Sequence, residues 1–574
     1  MTLKELRLLK KLTQESCANI AGVSLRTYKS YENNKELANT LRYNAIYNSI
    51  EGYHVLKESP YIDQYSYFFT NVKTGIDLNA LIIGTSKYKK RDCFQYLKNY
   101  MDGAYDGRVC ILYGLRRTGK TTLLFQMIRE LPQDKTAYIK IQTTDTMAAL
   151  TKDLNKLYSL GYRYIFIDEV TLMEDFINTS AVLADIFSTL GMKIVLSGTD
   201  SLCFALADKD ELYDRNVMIH TSFIPFREYA RLLDINSIDS YIEYGGTLKK
   251  ENMSFDDRDF HYDEVSFRDD ESTRKYIDTA ISRNIQNALK NNQFGSYFNM
   301  LQELYDKGEL TNAINRIVEN MNHYFLLSVI ENEFKSHDYG SAKNILVHEA
   351  PSPCAYVLSS VDEKEIIKRL KNIIDVKEKK ELTVPITQEH IETLKHYLLK
   401  LDLIFNCPYQ VESHGQVDYY IFTQPGMRYA IAKALVYSLV QDPYFNNISE
   451  KDKSYIIDKI LNDVKGRMLE DIVLLETVKS LHGNKKAFKF RFNMGGEFDM
   501  VIYDNDAGSC EIYEVKHSDK LSEKQTQHLK DLEKCSLIER RYGTIKRKCV
   551  LYRGTGCIED NIEYVNVEEY LKNL

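Results

Sequence analysis

A buried strand that turns on glycine straight into an amphipathic helix leaves few folds open, and residues 109–128 have that form. The apolar run Val109-Cys-Ile-Leu-Tyr113 leads into Gly114-Leu-Arg-Arg-Thr-Gly119-Lys120-Thr121-Thr122, and Leu123-Leu-Phe-Gln-Met-Ile128 follows. The spacing G-x-x-x-x-G-K-T lets the backbone curl around phosphate, with successive amide N–H groups and a helix N-terminus directed at its oxygens. Gly114, Arg117, Thr118, Gly119, Lys120, Thr121 and Thr122 are therefore expected to contact a nucleotide. Lys120 neutralises the β- and γ-phosphates and the Thr121 hydroxyl holds Mg²⁺, so the implied cofactors are ATP and Mg²⁺.

Two later segments supply the rest of such a site. Tyr164-Ile-Phe-Ile167 reads as a strand ending in Asp168-Glu169, a Walker B pattern. Asp168 is expected behind the Mg²⁺, and Glu169 is expected to orient and deprotonate the attacking water. Lys193-Ile-Val-Leu196 runs into Ser197-Gly-Thr199-Asp-Ser201, where Thr199 suits a sensor of the γ-phosphate; a plain polar loop after a buried strand would look the same. This succession of strands and helices predicts a parallel α/β sheet with its ligand at the carboxyl edge.

With 574 residues, 44% apolar, the chain is long enough for about three or four domains. It holds no uninterrupted apolar run of about 18 residues and begins without a signal-peptide core, so the expectation is a cytoplasmic protein with no membrane partner. Ten cysteines fall without a C-x-x-C pair or Cys/His spacing, which supports neither a disulfide framework nor a structural zinc site. A net charge of −7 argues against a surface that coats nucleic acid everywhere.

The first fifty residues depart from that acidic balance, with eight lysines and arginines against four glutamates. Leu12–Ala21 reads as a short helix, Gly22-Val23 as a turn, and Ser24–Glu32 as a second helix capped by Ser24, with Val23, Tyr28 and Tyr31 packing inward. Ser24-Leu-Arg-Thr-Tyr-Lys-Ser-Tyr-Glu-Asn resembles the helix-turn-helix of phage-repressor-like regulators. That resemblance implies that Ser24, Arg26, Thr27, Lys29 and Ser30 face DNA from a recognition helix; a helical bundle that binds protein is the other reading.

Residues 51–95 read as a connector and residues 96–245 as the nucleotide-binding core. Glu211-Leu-Tyr-Asp-Arg215, Phe223-Ile-Pro-Phe-Arg-Glu228-Tyr and Tyr241-Ile-Glu-Tyr-Gly245-Gly246, taken with the glycine loop, resemble a family of bacterial and archaeal AAA-type P-loop ATPases. By position the resemblance implies that Arg215 contacts the γ-phosphate, in cis or across a subunit interface, which is compatible with a homo-oligomer or a partner protein; a surface arginine without a catalytic role is the alternative. Arg116 and Arg117 also fit the family pattern.

Residues 246–440 read as helical, with a solvated acidic loop over 256–271. Thr387 caps a helix, and Leu403-Ile-Phe405 and Asp418-Tyr-Tyr-Ile-Phe422 read as strands joined by a turn at His414-Gly415, an arrangement that looks like a winged helix. In the tail, residues 455–574, a helix is expected to begin at Gly466. Glu497–Tyr503 and Glu511–Lys516 read as a hairpin about Asp504–Gly508, which brings Asp499 alongside Glu514 and Lys516. Two carboxylates and a lysine at a sheet edge suit Mg²⁺ beside a scissile phosphate. The arrangement resembles the PD-(D/E)xK signature of restriction-endonuclease-like nucleases, with Asp499 and Glu514 as implied metal ligands, Glu470 as an extra ligand and Gln525 as a later polar member. A cross-strand ion pair in a tail that cuts nothing would use the same residues. The expected fold class is multidomain α/β: a P-loop parallel-sheet core with an all-α helix-turn-helix head (1–50), a winged-helix-like middle and an α/β restriction-endonuclease-like tail. The expected function is a DNA-associated ATPase coupled to the tail, and the alternative is a nucleotide-responsive transcriptional regulator.

Overall fold

A computed structural model describes the chain apart from residues 1, 10–11, 22, 34–42, 45, 48–49, 51–67, 104, 210, 249–266, 268, 291–297, 337–367, 370, 373–384 and 522. It divides into two compact units, residues 1–68 and residues 69–574. In the first unit, helices Leu3–Leu9, Gln14–Ile20 and Leu25–Asn33 close over Leu3, Leu6, Cys17, Ala18 and Tyr28. Small Ala18 sits in that core beside Tyr28, and Val23 and Tyr31 pack against it. Side chains fix the helix starts: Thr13 Oγ1 accepts from Ser16 N at 3.1 Å and Ser24 Oγ from Thr27 N at 3.1 Å. Glu32 ties the three helices together, accepting from Arg7 Nε at 2.6 Å and from Gln14. Of the expected features, the turn residue Gly22 and the cations Lys10, Lys11, Lys35 and Arg42 lie outside the described residues.

The second unit is a mixed α/β structure built on two sheets. Its first sheet has six strands: β1 (Asn71–Lys73), β2 (Val109–Tyr113), β3 (Thr136–Lys140), β4 (Tyr164–Asp168), β5 (Lys193–Gly198) and β6 (Asn216–His220), in the order β1-β3-β4-β5-β2-β6. All neighbours run parallel except the β1–β3 pair. The central strands are apolar along their length because helices cover both faces of a parallel sheet. Since β5 separates β2 from β4, the chain reverses its order beside the glycine loop, where ligands of such sheets bind. From Phe69 onward the stretch expected as a connector is structured. It supplies β1 and the helices Gly75–Ile82 and Phe94–Met101, whose Leu78, Ile82, Phe94 and Leu97 pack with Leu112, Leu123 and Phe166. Buried Asp153 fixes the entry, accepting from Phe69 N at 2.9 Å and from Thr70 N and Oγ1, both at 2.7 Å. The earlier part of the expected connector, 51–67, lies outside the described residues.

The second sheet has eight strands: β7 (Ile404–Val411), β8 (Gly415–Phe422), β9 (Lys485–Arg491), β10 (Glu497–Asp504), β11 (Ser509–Val515), β12 (Thr544–Tyr552), β13 (Cys557–Glu559) and β14 (Ile562–Asn566), in the order β13-β14-β12-β11-β10-β9-β7-β8. The hairpin β7–β8, expected as the wing of a winged helix, therefore extends the tail sheet: β7 pairs parallel with β9 through Tyr409↔Lys489 to Val411↔Arg491. Thr387 caps its helix as expected, accepting from His390 N. Gly466 does not begin a helix. It lies inside the 31-residue helix Glu450–Ser480, which Ser449 caps. One apolar core joins Ile224, Phe226 and Tyr241, which follow β6, to Val464, Leu469 and Val473 of that helix and to Met500, Val515 and Leu571 of the tail. Of the expected acidic loop, residues 256–266 and 268 lie outside the described residues, whereas Asp269 caps the helix Asp270–Ile277.

Candidate functional site

The glycine loop takes its shape from left-handed backbone at Gly114 (φ +146°), Arg117 (φ +64°) and Gly119 (φ +87°). A Cβ at Gly114 would stand 2.5 Å from Thr221 Oγ1 and 2.8 Å from Ser222 N, so only glycine fits there. The loop is braced from outside. Leu115 N donates to Ser222 Oγ at 3.0 Å, Leu248 N to Arg117 O at 3.0 Å, and Thr118 Oγ1 to Leu115 O at 2.8 Å. Lys120 Nζ donates to the carbonyls of Gly114 and Leu115, each at 2.8 Å, and lies buried beneath the loop. Burial pulls its ammonium down to about 8, against the raising influence of Glu169 and Asp168. Thr122 lines the cavity beside the loop.

Thr121 Oγ1 donates to Asp168 Oδ2 at 3.1 Å, which joins the helix Lys120–Ile128 to the end of β4. The same oxygen accepts from Tyr138 OH at 2.8 Å and Lys140 Nζ at 3.0 Å, while Oδ1 accepts from Ser197. Burial opposes ionisation of Asp168, but Lys140 and the hydroxyls outweigh it and hold the carboxyl below its usual range. Two oxygens of a hard-ligand set thus lie together, and a divalent ion fits there once Lys140 swings aside. Glu169 is a non-glycine residue in left-handed backbone (φ +60°), the kind of local strain that collects at working sites. Thr199 is buried just beyond β5. Its neighbour Asp200, pushed up to about 6 by burial, accepts from Leu202 N and Cys203 N.

Arg215 does not join this group. Its carbonyl accepts from Val109 N at the start of β2, and its side chain pairs with Asp185 at 3.0 Å and donates to Glu211 O at 2.9 Å. It lies at the amino edge of the parallel strands, and β2 and β6 separate it from the loop by about five residues, roughly 16 Å. A γ-phosphate contact in cis does not fit that placement. The arginine that does reach the loop is Arg91. Buried, it donates Nη1 to Thr118 O (2.8 Å) and Thr221 O (2.7 Å), and Nε and Nη2 to the two oxygens of Glu228 at 3.0 and 2.8 Å. Glu228 belongs to the Phe-Arg-Glu motif; Arg91 carried no motif and stood in the expected connector. Arg91, Arg117 and Gly119 line a cavity of about 760 Å³ with Tyr88, Leu233 and Leu248, large enough for a nucleoside next to the phosphates.

Residues 106–230 match a protein-family model described as an AAA domain. This part of the chain is an AAA-type P-loop ATPase domain. An uncharacterized protein of Methanocaldococcus jannaschii is 25% identical over 177 residues, which is 30% of this chain and 39% of the relative's length. A solved structure of the Aeropyrum pernix ORC1 protein in complex with DNA aligns with 66% of this chain and 99% of its own at 11% identity, with a TM-score of 0.22. Among the described residues, no helix is long and apolar enough to cross a membrane.

In the tail, the register Met500↔Tyr513 sets Asp499 opposite Glu514. Lys516 Nζ bridges them, 3.1 Å from Asp499 Oδ2 and 2.7 Å from Glu514 Oε2, so the three signature residues converge. Asp499 Oδ2 also accepts from Val515 N at 2.8 Å. Burial lifts Glu514 to about 8, only partly opposed by Lys516, and its Oε1 is buried without a hydrogen-bond partner. That orphaned oxygen makes the Asp499–Glu514 pair fit a divalent ion. Glu470 also reaches the cluster, together with Glu497 and Lys489, which motif reasoning did not single out. Gln525 is buried and donates to Lys520 O at 2.8 Å.

On the first unit's Leu25–Asn33 helix, Arg26, Lys29 and Ser30 are exposed, as is the capping Ser24. Thr27 is half-buried and pairs with Ser24 Oγ, while Tyr28 turns inward.

Proposed function

We propose that the chain is a DNA-associated, Mg²⁺-dependent ATP hydrolase whose nucleotide state is communicated to a nuclease-like tail. The observation that carries the ATPase reading is the joining of Thr121 to Asp168 beside a glycine loop whose Gly114 and Leu115 carbonyls hold Lys120 Nζ. In this reading Lys120 binds the β/γ-phosphates, and Thr121 and Asp168 would hold the ion, which supplies charge neutralisation. Glu169 takes the proton of the attacking water, and Thr199 reads the γ-phosphate. The exposed Arg26, Lys29, Ser24 and Ser30, together with Thr27, support DNA contact by the head.

Communication with the tail is supported by the helix Phe226–Leu233, which its own Glu228 ties to Arg91 and its first residue ties to Glu476. Glu228 binds Arg91, which grips Thr118 O in the loop; Glu476 accepts from Phe226 N at 2.7 Å. Glu476 shares its helix with Glu470, six residues earlier and about 9 Å along the axis, in the tail cluster. ATP turnover measured with and without DNA, with the DNA then run on a gel, tests the proposal: no turnover under any condition removes the hydrolase. The second reading, a nucleotide-responsive regulator whose tail cuts nothing, is favoured by the cations already neutralising the tail carboxylates. It predicts DNA binding altered by ATP, with intact DNA. Arg26→Ala or Lys29→Ala should weaken DNA binding and flatten its salt dependence by about one contact's worth; a chain lacking residues 1–50 that binds equally well would exclude the head.

A further inference from the structure

The oxygens of Glu470, Glu497 and Asp499 lie within 4.8 Å of one another, close enough to demand a cation between them. One is already there. Lys489 Nζ stands 2.8 Å from Glu470 Oε2, 2.9 Å from Glu497 Oε1 and 3.8 Å from Asp499 Oδ1, and Arg467 Nη1 bonds the same Glu470 and Glu497 oxygens at 2.6 and 2.8 Å. Lys489 is 1% exposed and projects from β9, which is hydrogen-bonded on both sides, by β10 and β7. It has no path by which to swing into solvent. The spacing also suits an ammonium: Mg²⁺ holds its oxygens at about 2.0–2.1 Å, so Glu470 and Glu497 would each have to close in by about 0.8 Å. Glu470 and Glu497 thus balance Arg467 and Lys489, whereas Asp499 and Glu514 share Lys516 as their near cation, with Lys489 farther off at 3.8 Å from Asp499, and Glu514 Oε1 is left unpartnered.

We propose that Lys489 is a tethered counter-ion standing where the three-carboxylate group Glu470–Glu497–Asp499 would otherwise gather a divalent ion. Glu470 is thereby removed from the ligand set, and any divalent ion in the tail is confined to Asp499 and Glu514. This rests on the tail geometry alone and not on ATP turnover, so it can fail while the ATPase reading stands.

The test is equilibrium Mn²⁺ binding to the full chain without nucleotide, carrying Asp168→Asn so that the P-loop contributes no site. With Lys489 intact, Glu470→Gln should leave Mn²⁺ binding within about twofold of its parent, whether the parent binds one ion or none. Lys489→Met, which keeps the bulk and removes the charge, should bind Mn²⁺ at least tenfold more tightly, and adding Glu470→Gln should abolish that gain. A tenfold loss on Glu470→Gln with Lys489 present would overturn the proposal, because Glu470 would already be a ligand. So would a folded Lys489→Met chain that gains no Mn²⁺. If Lys489→Met fails to fold, Lys489→Gln, which also removes the charge but keeps a hydrogen-bond donor for the carboxylates, takes its place with the same two outcomes.

Discussion

The carboxylates at Asp168 and Asp499 occupy similar places, each near the end of an inner strand of its sheet with a lysine about 3 Å away, yet they are closed to different degrees. At Asp168 the cation is Lys140, 39% exposed on a strand end and paired with one carboxylate. Around Asp499 the cations are shared among four carboxylates, and Lys489 is locked inside the sheet. A half-exposed ammonium such as Lys140 can move into water and give way to a stronger cation even though Asp168 is buried; a pair buried on both sides, once broken, leaves an uncompensated charge at about 3–5 kcal/mol. The counter-ion's freedom to leave, more than the number of acids, separates Asp168 beside Lys140 and Asp499–Glu514 beside the part-exposed Lys516 from the Glu470–Glu497 side that Lys489 closes.

The largest expected effect tests whether the open site is the working one. Glu169→Gln should retain nucleotide and lose turnover by about 10²–10⁴-fold, read by single-turnover hydrolysis; unimpaired hydrolysis would remove it as the base. Next, Lys489→Ala should lower unfolding stability by about 3–5 kcal/mol, and Lys140→Ala by less, because buried Asp168 keeps its bonds from Thr121, Tyr138 and Ser197; both are measured by denaturant melts. Equal losses would erase the contrast. Lys120→Ala should weaken ATP binding about a hundredfold, from loss of a charge-assisted contact of about 2–3 kcal/mol, seen by nucleotide titration. Asp499→Ala should leave ATP turnover unchanged and eliminate any divalent-dependent DNA cleavage; loss of both would show the two sites to be one cooperative structure.

The smallest effects are in pH. Lys120, at about 8 in the free loop, is kept charged by bound phosphate, so binding takes up a proton above that pH. ATP affinity should fall as pH rises past about 8, by up to about tenfold per unit, and a flat profile to pH 9 would place Lys120 away from the phosphates. Glu476 gives the opposite kind of test. Burial lifts it from 4.5 to about 8, so the folded state holds the extra proton; its contribution is complete below 4.5 and lost as pH rises through 8. Glu476→Gln should flatten the decline in stability across that window.

The glycine loop was readable because its chemistry lies within nine consecutive residues and its strand, Val109–Tyr113, is an unbroken apolar run. The tail trio was readable through its alternation, which set Glu514 and Lys516 two apart and across from Asp499. Arg91 was not, because its partners Thr118, Thr221 and Glu228 lie 27 to 137 residues away and only the tertiary fold gathers them. Motif order also set Arg215 near the sensor without revealing which end of β6 it precedes. Lys489 carries no signal of its own in Lys485-Lys-Ala-Phe-Lys-Phe-Arg491, since sequence does not say that β7 covers the far side of β9.

The pairing of β7 with β9 also decides what can be cut out of this chain. A fragment beginning at residue 455 keeps the candidate acids but loses Ile404–Phe422, and with them the partner of β9 from Lys489 to Arg491. Its sheet would end in unpaired backbone donors and acceptors flanked by Phe488, Phe490 and Phe492, an adhesive margin able to recruit another copy of itself. The hairpin serves as a selvedge, and a tail prepared without it should precipitate or pair before its chemistry can be assayed.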